Sequence, residues 1–355
     1  MPAGVRISAL ALLLLSGCSV RADRAPDSAL QRGCQYLWNQ QAEDGGWHSK
    51  TYGLLKSGQS LTPFVLDALL QSRCRQPEAA VDRAIAFLKR NTNREGAVGK
   101  TDPLLYDYPS YSTALAVMAI RRAAKPDWRQ TVAPMAAWLR TQQLSEAHGW
   151  KREDDAYGAW GMGGEPRTAP NAGHVDLSMT RHVLQALAAA DVPSTDRAWS
   201  RARLFVERCQ NPDGGFFFST VVVDANKAGQ DGASRYRSYG TATADGVLAL
   251  LALGDSSSND RVRTARRWLA EHDRPDGASG FMGEAYQRWI LGLRFYYASA
   301  SSEVFNNAST PLVAGLEASQ LSDGSWRNPQ KLVKEDDPLI ATAFAVKALS
   351  HAKLE

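Results

Sequence analysis

The sequence predicts an all-α protein: an α6/α6 toroid, six inner helices ringed by six outer ones. Three observations predict it. The unit Leu37–Gln41–Asp44–Gly45–Gly46–Trp47 returns at identical spacing as Val206–Gln210–Asp213–Gly214–Gly215–Phe216 and as Leu316–Gln320–Asp323–Gly324–Ser325–Trp326. A fourth copy, Leu139–Gln143–Glu146–Gly149–Trp150, carries one extra residue, and Leu88–Thr92–Glu95–Gly96–Ala97 and Leu269–Asp273–Asp276–Gly277–Ala278 keep the frame in decayed form. Helices of two kinds alternate strictly along the chain. Finally, the apolar anchors step by 51, 51, 67, 63 and 47 residues, a helix-pair period, and six such pairs can close on themselves.

The physics of the unit is local. Leu and Gln four apart share one helix face. Asp-Gly-Gly ends that helix, because glycine takes up the left-handed conformation of a helix end without cost to a Cβ. The aromatic that follows can fold back and bury its ring. The Gln amide is suited to bonding backbone groups at a neighbouring repeat's helix end.

In chain order, amphipathic helices ending in the unit are predicted over about 28–41, 78–91, 130–143, 196–209, 259–272 and 309–320. Between them, about 61–73, 110–123, 176–190, 239–253, 284–300 and 338–351 read as Ala-rich helices apolar nearly all round, as buried helices are. Phe216 to Val223 is the one strand-like run. Two long inserts, 151–175 and 217–238, are placed to cover one mouth of a ring.

Net charge is only +4 and dispersed, and the basic cluster Arg261–Arg267 reads as a solvated helix face, so nucleic acid is not an expected partner. At the N-terminus, Arg6 precedes a short apolar run, Ile7 to Leu15, too short to span a bilayer and fitting the core of a secretory signal. Leu15-Ser16-Gly17-Cys18 resembles the lipobox of bacterial lipoproteins. The resemblance implies a signal peptide over 1–17, acylation of Cys18, a linker to about residue 27, and a toroid over 28–355. Ser19 after Cys18 points to the outer membrane of a bacterial envelope, with the chain facing the periplasm. In that oxidising compartment, Cys34 early in the first helix and Cys74 at the end of the second are brought together by an antiparallel hairpin. They are either a disulfide or two buried thiols, and Cys209 is left over.

The Leu-x3-Gln-x2-Asp-Gly-Gly-Trp unit resembles the QW repeat of squalene and oxidosqualene cyclases, and the same toroid is found in the β subunits of protein prenyltransferases. The resemblance implies the fold over the whole mature chain. The cyclases' Asp-x-Asp-Asp-Thr-Ala acid motif has its nearest counterpart in Glu335-Asp336-Asp337-Pro338, before Ala341-Thr342-Ala343. Asp336 and Asp337 are therefore candidate general acids, with helix capping ahead of Pro338 as the alternative. The prenyltransferases' Asp, Cys and His zinc ligands have no matching set, and no cofactor is expected.

Inner helices of a toroid run one way, so their N-terminal ends share a mouth. There the sequence places Asp107, Tyr108 and Tyr111, His174 with Asp176, Tyr236 and Tyr239, and Glu284 as candidate ligand-binding residues around an apolar central cavity. His174 and Asp176 read as two metal ligands or, for Asp176, as an N-cap. Three functions follow: a cavity protein that binds, and transforms or merely holds, an isoprenoid or other lipid; a glycan-active or glycan-binding envelope protein; or an interaction toroid without chemistry. The second draws on the acids Glu153-Asp154-Asp155 ahead of Tyr157 and Trp160.

Overall fold

Each Trp of the repeat turns back onto the helix that precedes it. In the computed structural model, which describes Met1 and residues 28–101, 106–231, 235–274 and 276–352, the Trp47 indole N–H donates to the Leu37 carbonyl at 2.7 Å and that of Trp326 to Leu316 at 2.8 Å. The adjoining turn needs its glycine: Gly45 has φ +91°, and a Cβ there would stand 2.3 Å from the Arg83 carbonyl oxygen. Asp44 Oδ1 accepts from the Gly46 N–H, tying the turn. Each fully buried indole removes roughly 150–250 Å² from water, worth roughly 4–6 kcal/mol as an upper bound.

The glutamines join one repeat to the next. Gln41 donates to Gly45 O in its own turn and to Ala80 O in the next outer helix, at 3.0 and 2.9 Å. Gln143 reaches Gly158 and Ala198, Gln210 reaches Gly214 and Arg261, and Gln320 reaches Gly324 and Ala29. The last of these links the end of the ring to its start. The Gln143 bonds also correct the fourth repeat. Its buried tryptophan is Trp160, whose indole donates to Leu139 O at 2.7 Å, and its glycine is Gly158, φ +87°. Trp150 instead donates to Arg167 O. An insert between Gln143 and Gly158 had hidden the frame.

Outer helices α1 (Ala29–Asn39), α3 (Glu78–Arg90), α5 (Trp128–Thr141), α7 (Arg197–Arg208), α9 (Asp260–Glu271) and α12 (Thr310–Ala318) alternate with inner helices α2 (Leu61–Gln71), α4 (Pro109–Ala123), α6 (Leu177–Ala189), α8 (Gly240–Ala252), α11 (Arg294–Phe305) and α13 (Pro338–Ser350). Every inner helix packs on the next, and α13 packs on α2, so the ring closes. In five inner helices a threonine near the N-terminus (Thr62, Thr113, Thr180, Thr243, Thr342) accepts the N–H that follows a glycine turn.

The fifth helix pair departs. The helix expected over 284–300 is two helices, α10 (Glu284–Gly292) and α11, broken at Leu293. The cause is Glu335, whose buried carboxylate accepts the Phe295 and Tyr296 N–H groups at 3.2 and 2.8 Å and so caps a new helix start. The run Phe216–Val223 is not a strand either. Asn226 takes the Phe218 and Ser219 N–H groups with its side chain, and among the described residues the strands are the short pair Gln230–Asp231 and Arg235–Tyr236.

Cys34 and Cys74 are joined by a disulfide between α1 and the end of α2, and Cys209 is free and buried. No described helix is long and apolar enough to cross a membrane. The expected signal segment, Cys18 and the linker to residue 27 lie outside the described residues, Met1 apart.

Candidate functional site

At the N-terminal mouth the expected acids are bound up in holding the backbone. Asp337 caps α13 by accepting the Leu339 N–H at 2.9 Å, and also takes the Ser49 hydroxyl. Asp336 accepts the Tyr52 hydroxyl; burial, and then this carboxylate, push the phenol up to about 12. Asp176 caps α6 through Met179 N–H at 2.7 Å and pairs with His174 at 3.1 Å. Asp107 accepts the Ser57 hydroxyl and the Ser60 N–H at the head of α2.

The aromatics there divide. Tyr108 is half-buried, with φ +45°, and its hydroxyl meets Lys334 Nζ at 3.3 Å. Tyr239 is fully buried against Phe281, its hydroxyl without a partner among the described residues. Tyr236 stacks obliquely on Phe217 and lines a separate hollow of about 450 Å³ with Trp268 and Phe281. Glu284 is exposed in the first turn of α10, outside the inner ring. Only Tyr111 reaches the axis. The insert acids Glu153, Asp154 and Asp155 edge an open groove whose neighbours Tyr157 and Trp160 are buried repeat residues.

The axis itself is built by residues that the sequence reading passed over. Asp245 on α8 is fully buried. Its carboxylate accepts from Arg181 Nε at 3.1 Å and from the Tyr296 hydroxyl at 2.5 Å, and that hydroxyl meets Ser178 at 2.6 Å. Burial pushes the Asp245 carboxyl up, and Arg181 only partly offsets this. Burial works against the Arg181 charge, but Asp245 and Glu303 outweigh it and hold the guanidinium protonated. His182 is pushed well below its ordinary range by burial and then by Arg181; its Nδ1 meets Ser178 O at 2.8 Å, fixing a neutral imidazole with Nε2 as acceptor.

Around this acid lies an aromatic belt. Tyr111 meets the His182 ring edge-on at 4.7 Å, Phe344 stacks on Tyr296 at 5.4 Å, and Phe64 meets Phe344 at 4.8 Å. Tyr111, Ser178, Tyr296 and Phe344 sit in the inner helices and keep some accessible surface. Toward the N-terminal mouth, Lys334 lies over the Tyr52 and Tyr108 rings and Lys227 over Phe218 and Trp289.

A pocket of about 780 Å³ lies between the C-terminal ends of the inner helices. Leu70, Met118, Leu248 and Leu251 form apolar parts of its wall, and nearly half of its lining residues are polar or charged. Its polar groups pair among themselves: Asp67 with Arg122 at 2.7 Å and Lys347 at 3.4 Å, and Glu303 with Gln185 at 2.9 Å. Asp245 and Arg181 lie one helical turn deeper than Leu248 and Gln185. Asp67 pairs with Arg122 and Lys347 in the pocket, and Asp245 pairs with Arg181 deeper in. The signal for these residues was present: single charges in helices otherwise apolar all round. Among the described residues, no group of three or more His, Cys, Asp or Glu could hold a metal ion.

No family model and no curated protein matches this chain. Solved structures do. The type II terpene cyclase MstE from Scytonema superposes with a TM-score of 0.57 at 14% identity, covering 91% of this chain and 96% of that one. Candida albicans protein geranylgeranyltransferase-I, complexed with GGPP, gives 0.53 at 14% over 91% and 90%. A D-mannose isomerase gives 0.54 at 14% over 90% and 96%. At such identity the likeness establishes the fold: an α/α toroid of the kind found in terpene cyclases and protein prenyltransferases.

Proposed function

We propose that the toroid binds an isoprenoid or other lipid along its axis. One observation carries the reading: a pocket of about 780 Å³, lined by Leu70, Met118, Leu248 and Leu251 together with paired charges, opens one helical turn from the buried Asp245–Arg181 pair, beside which aromatic rings pack. Hydrocarbon gains against Leu70, Met118, Leu248 and Leu251 by leaving water, and ring faces beyond them favour alkenes and any positive charge that develops on them. Asp245 is the candidate proton donor to a bound chain: burial raises its carboxyl, while Arg181 and Tyr296 hold and orient it. Structures of MstE hold geranylgeranyl dihydroxybenzoate on the same fold, which supports an isoprenoid as the ligand. The lipobox-like Leu15–Cys18 extends the proposal to a chain anchored in a bacterial envelope.

The paired charges at the pocket floor favour a second reading, a polyhydroxyl or glycan ligand that exchanges hydrogen bonds with Asp67, Glu303 and Lys347. Organic extraction and native mass spectrometry of the purified protein separate the two. A co-purifying lipid, lost in Leu248→Trp because the larger ring fills the pocket, is the expected result. Absence of lipid together with a thermal shift induced by oligosaccharide would overturn it.

A further inference from the structure

We propose that the C-terminal mouth of the toroid faces a lipid bilayer and that the axial ligand is drawn from that bilayer; the second half rests on the lipid-binding reading above. Inner helices end, and outer helices begin, at one end of the ring. The start of α1 is fixed there: Cys74, just past α2, lies 3.7 Å from the Leu30 carbonyl and is bridged to Cys34. Arg73 donates to Ala352 O at 2.6 Å, so the end of α13 meets the same corner. Leu70 and Gln71, the residues immediately before, line the axial pocket. The chain therefore enters the described structure beside the pocket opening.

What precedes that point is membrane-seeking. Ile7 to Leu15 is an apolar run and Cys18 stands in a lipobox-like context. Whether the apolar run or an acyl chain does the anchoring, the same corner is held to the bilayer. Ten residue steps separate Cys18 from Ser28, a reach of at most about 35 Å when fully extended. The opposite mouth lies farther by an inner helix, about 20 Å for thirteen residues, and by the loops that cover it. A short tether thus favours the near mouth.

The rim suits that surface. Leu70 and Leu251 are half-buried and Phe305, at the end of α11, is exposed. Arg73 and Arg75 are exposed and Arg121 lies over the Trp128 ring at 4.3 Å, giving cations at headgroup level beside the exposed acids Asp127 and Asp191. An amphiphile leaving the bilayer would lay its chain against Leu70, Leu248 and Leu251 and its polar head against the paired charges of the rim.

The test uses the full chain with its anchor, reconstituted into phosphatidylethanolamine–phosphatidylglycerol vesicles. Benzoylphenylalanine is introduced at the positions of Phe305 and Arg75 on the near end, or of Val223 and Met282 on the far end. Lipid adducts severalfold more abundant at the near positions are expected. Equal yields, or a majority at Val223 and Met282, overturn the orientation. Native mass spectrometry of the same protein in detergent reads the ligand separately. A bound lipid with the wrong orientation refutes this inference alone, whereas the right orientation with an empty axis refutes the axis reading and with it the uptake route.

Discussion

Asp107, Asp176, Glu335 and Asp337 at the N-terminal mouth each accept backbone N–H groups at a helix start. Within the inner helices Asp67, Asp245 and Glu303 accept instead from the side chains of Arg122, Arg181, Lys347, Tyr296 and Gln185. The first group compensates the positive ends of the inner helices. The second pairs with cations inside the ring of helices. An acidic residue before an inner helix is thus scaffold in this molecule, and an acidic residue within one is a candidate for chemistry.

The largest expected effect tests the second group. Arg181→Leu leaves Asp245 buried beside Tyr296 without its cation, and should cost about 3–5 kcal/mol in urea unfolding at neutral pH. Arg181→Leu with Asp245→Leu should recover most of that loss, since no charge then remains buried. A double variant as unstable as the single one would break the distinction between the two ends.

Glu335 sharpens it through pH. Burial raises its carboxyl from an ordinary 4.5 to about 7, against the pull of Tyr296, Asn328 and Phe295 donors. The folded state then holds a proton more tightly than the unfolded one. This contribution to stability is full below about pH 4.5 and is lost as pH rises through about 7, an effect of up to about 3 kcal/mol. Glu335→Gln should remove that slope from the unfolding free energy measured between the two values; an unchanged slope would place the titration elsewhere.

The smallest effect belongs to a cap. Asp337→Ala loses the Leu339 and Ser49 bonds and should cost about 1 kcal/mol, within the range for N-caps, with ligand retention unaltered by mass spectrometry. Loss of ligand without loss of stability would return Asp337 to the candidate acids.

The fold was legible because its signal is repeated. Leu37, Gln41, Gly45 and Trp47 make a local device, and six imperfect copies at helix-pair spacing leave few architectures open. Where a copy is interrupted, as between Gln143 and Gly158, the frame was misread, because only the Trp160 indole bond to Leu139 identifies the partner. The break at Leu293 was illegible for a related reason: its cause, Glu335, is distant in sequence and acts through space. The axial residues are harder still. Asp245, Arg181 and Tyr296 come from three helices, and no spacing along the chain announces that they meet. Tyr111 packs on His182 from an inner helix, whereas Asp107 and Asp176, beside which it was grouped, hold helix ends, as does Asp337.

The bond from Gln320 to Ala29 has a consequence for how this molecule comes apart. An open stack of repeats can fray from a terminal unit that has one neighbour. Here α1 is held by α13 and by the end of α12 on one side and, through Gln41, by α3 on the other. Detaching any hairpin breaks two seams at once, so amide exchange should slow to a similar degree in all six inner helices and show no gradient toward either terminus.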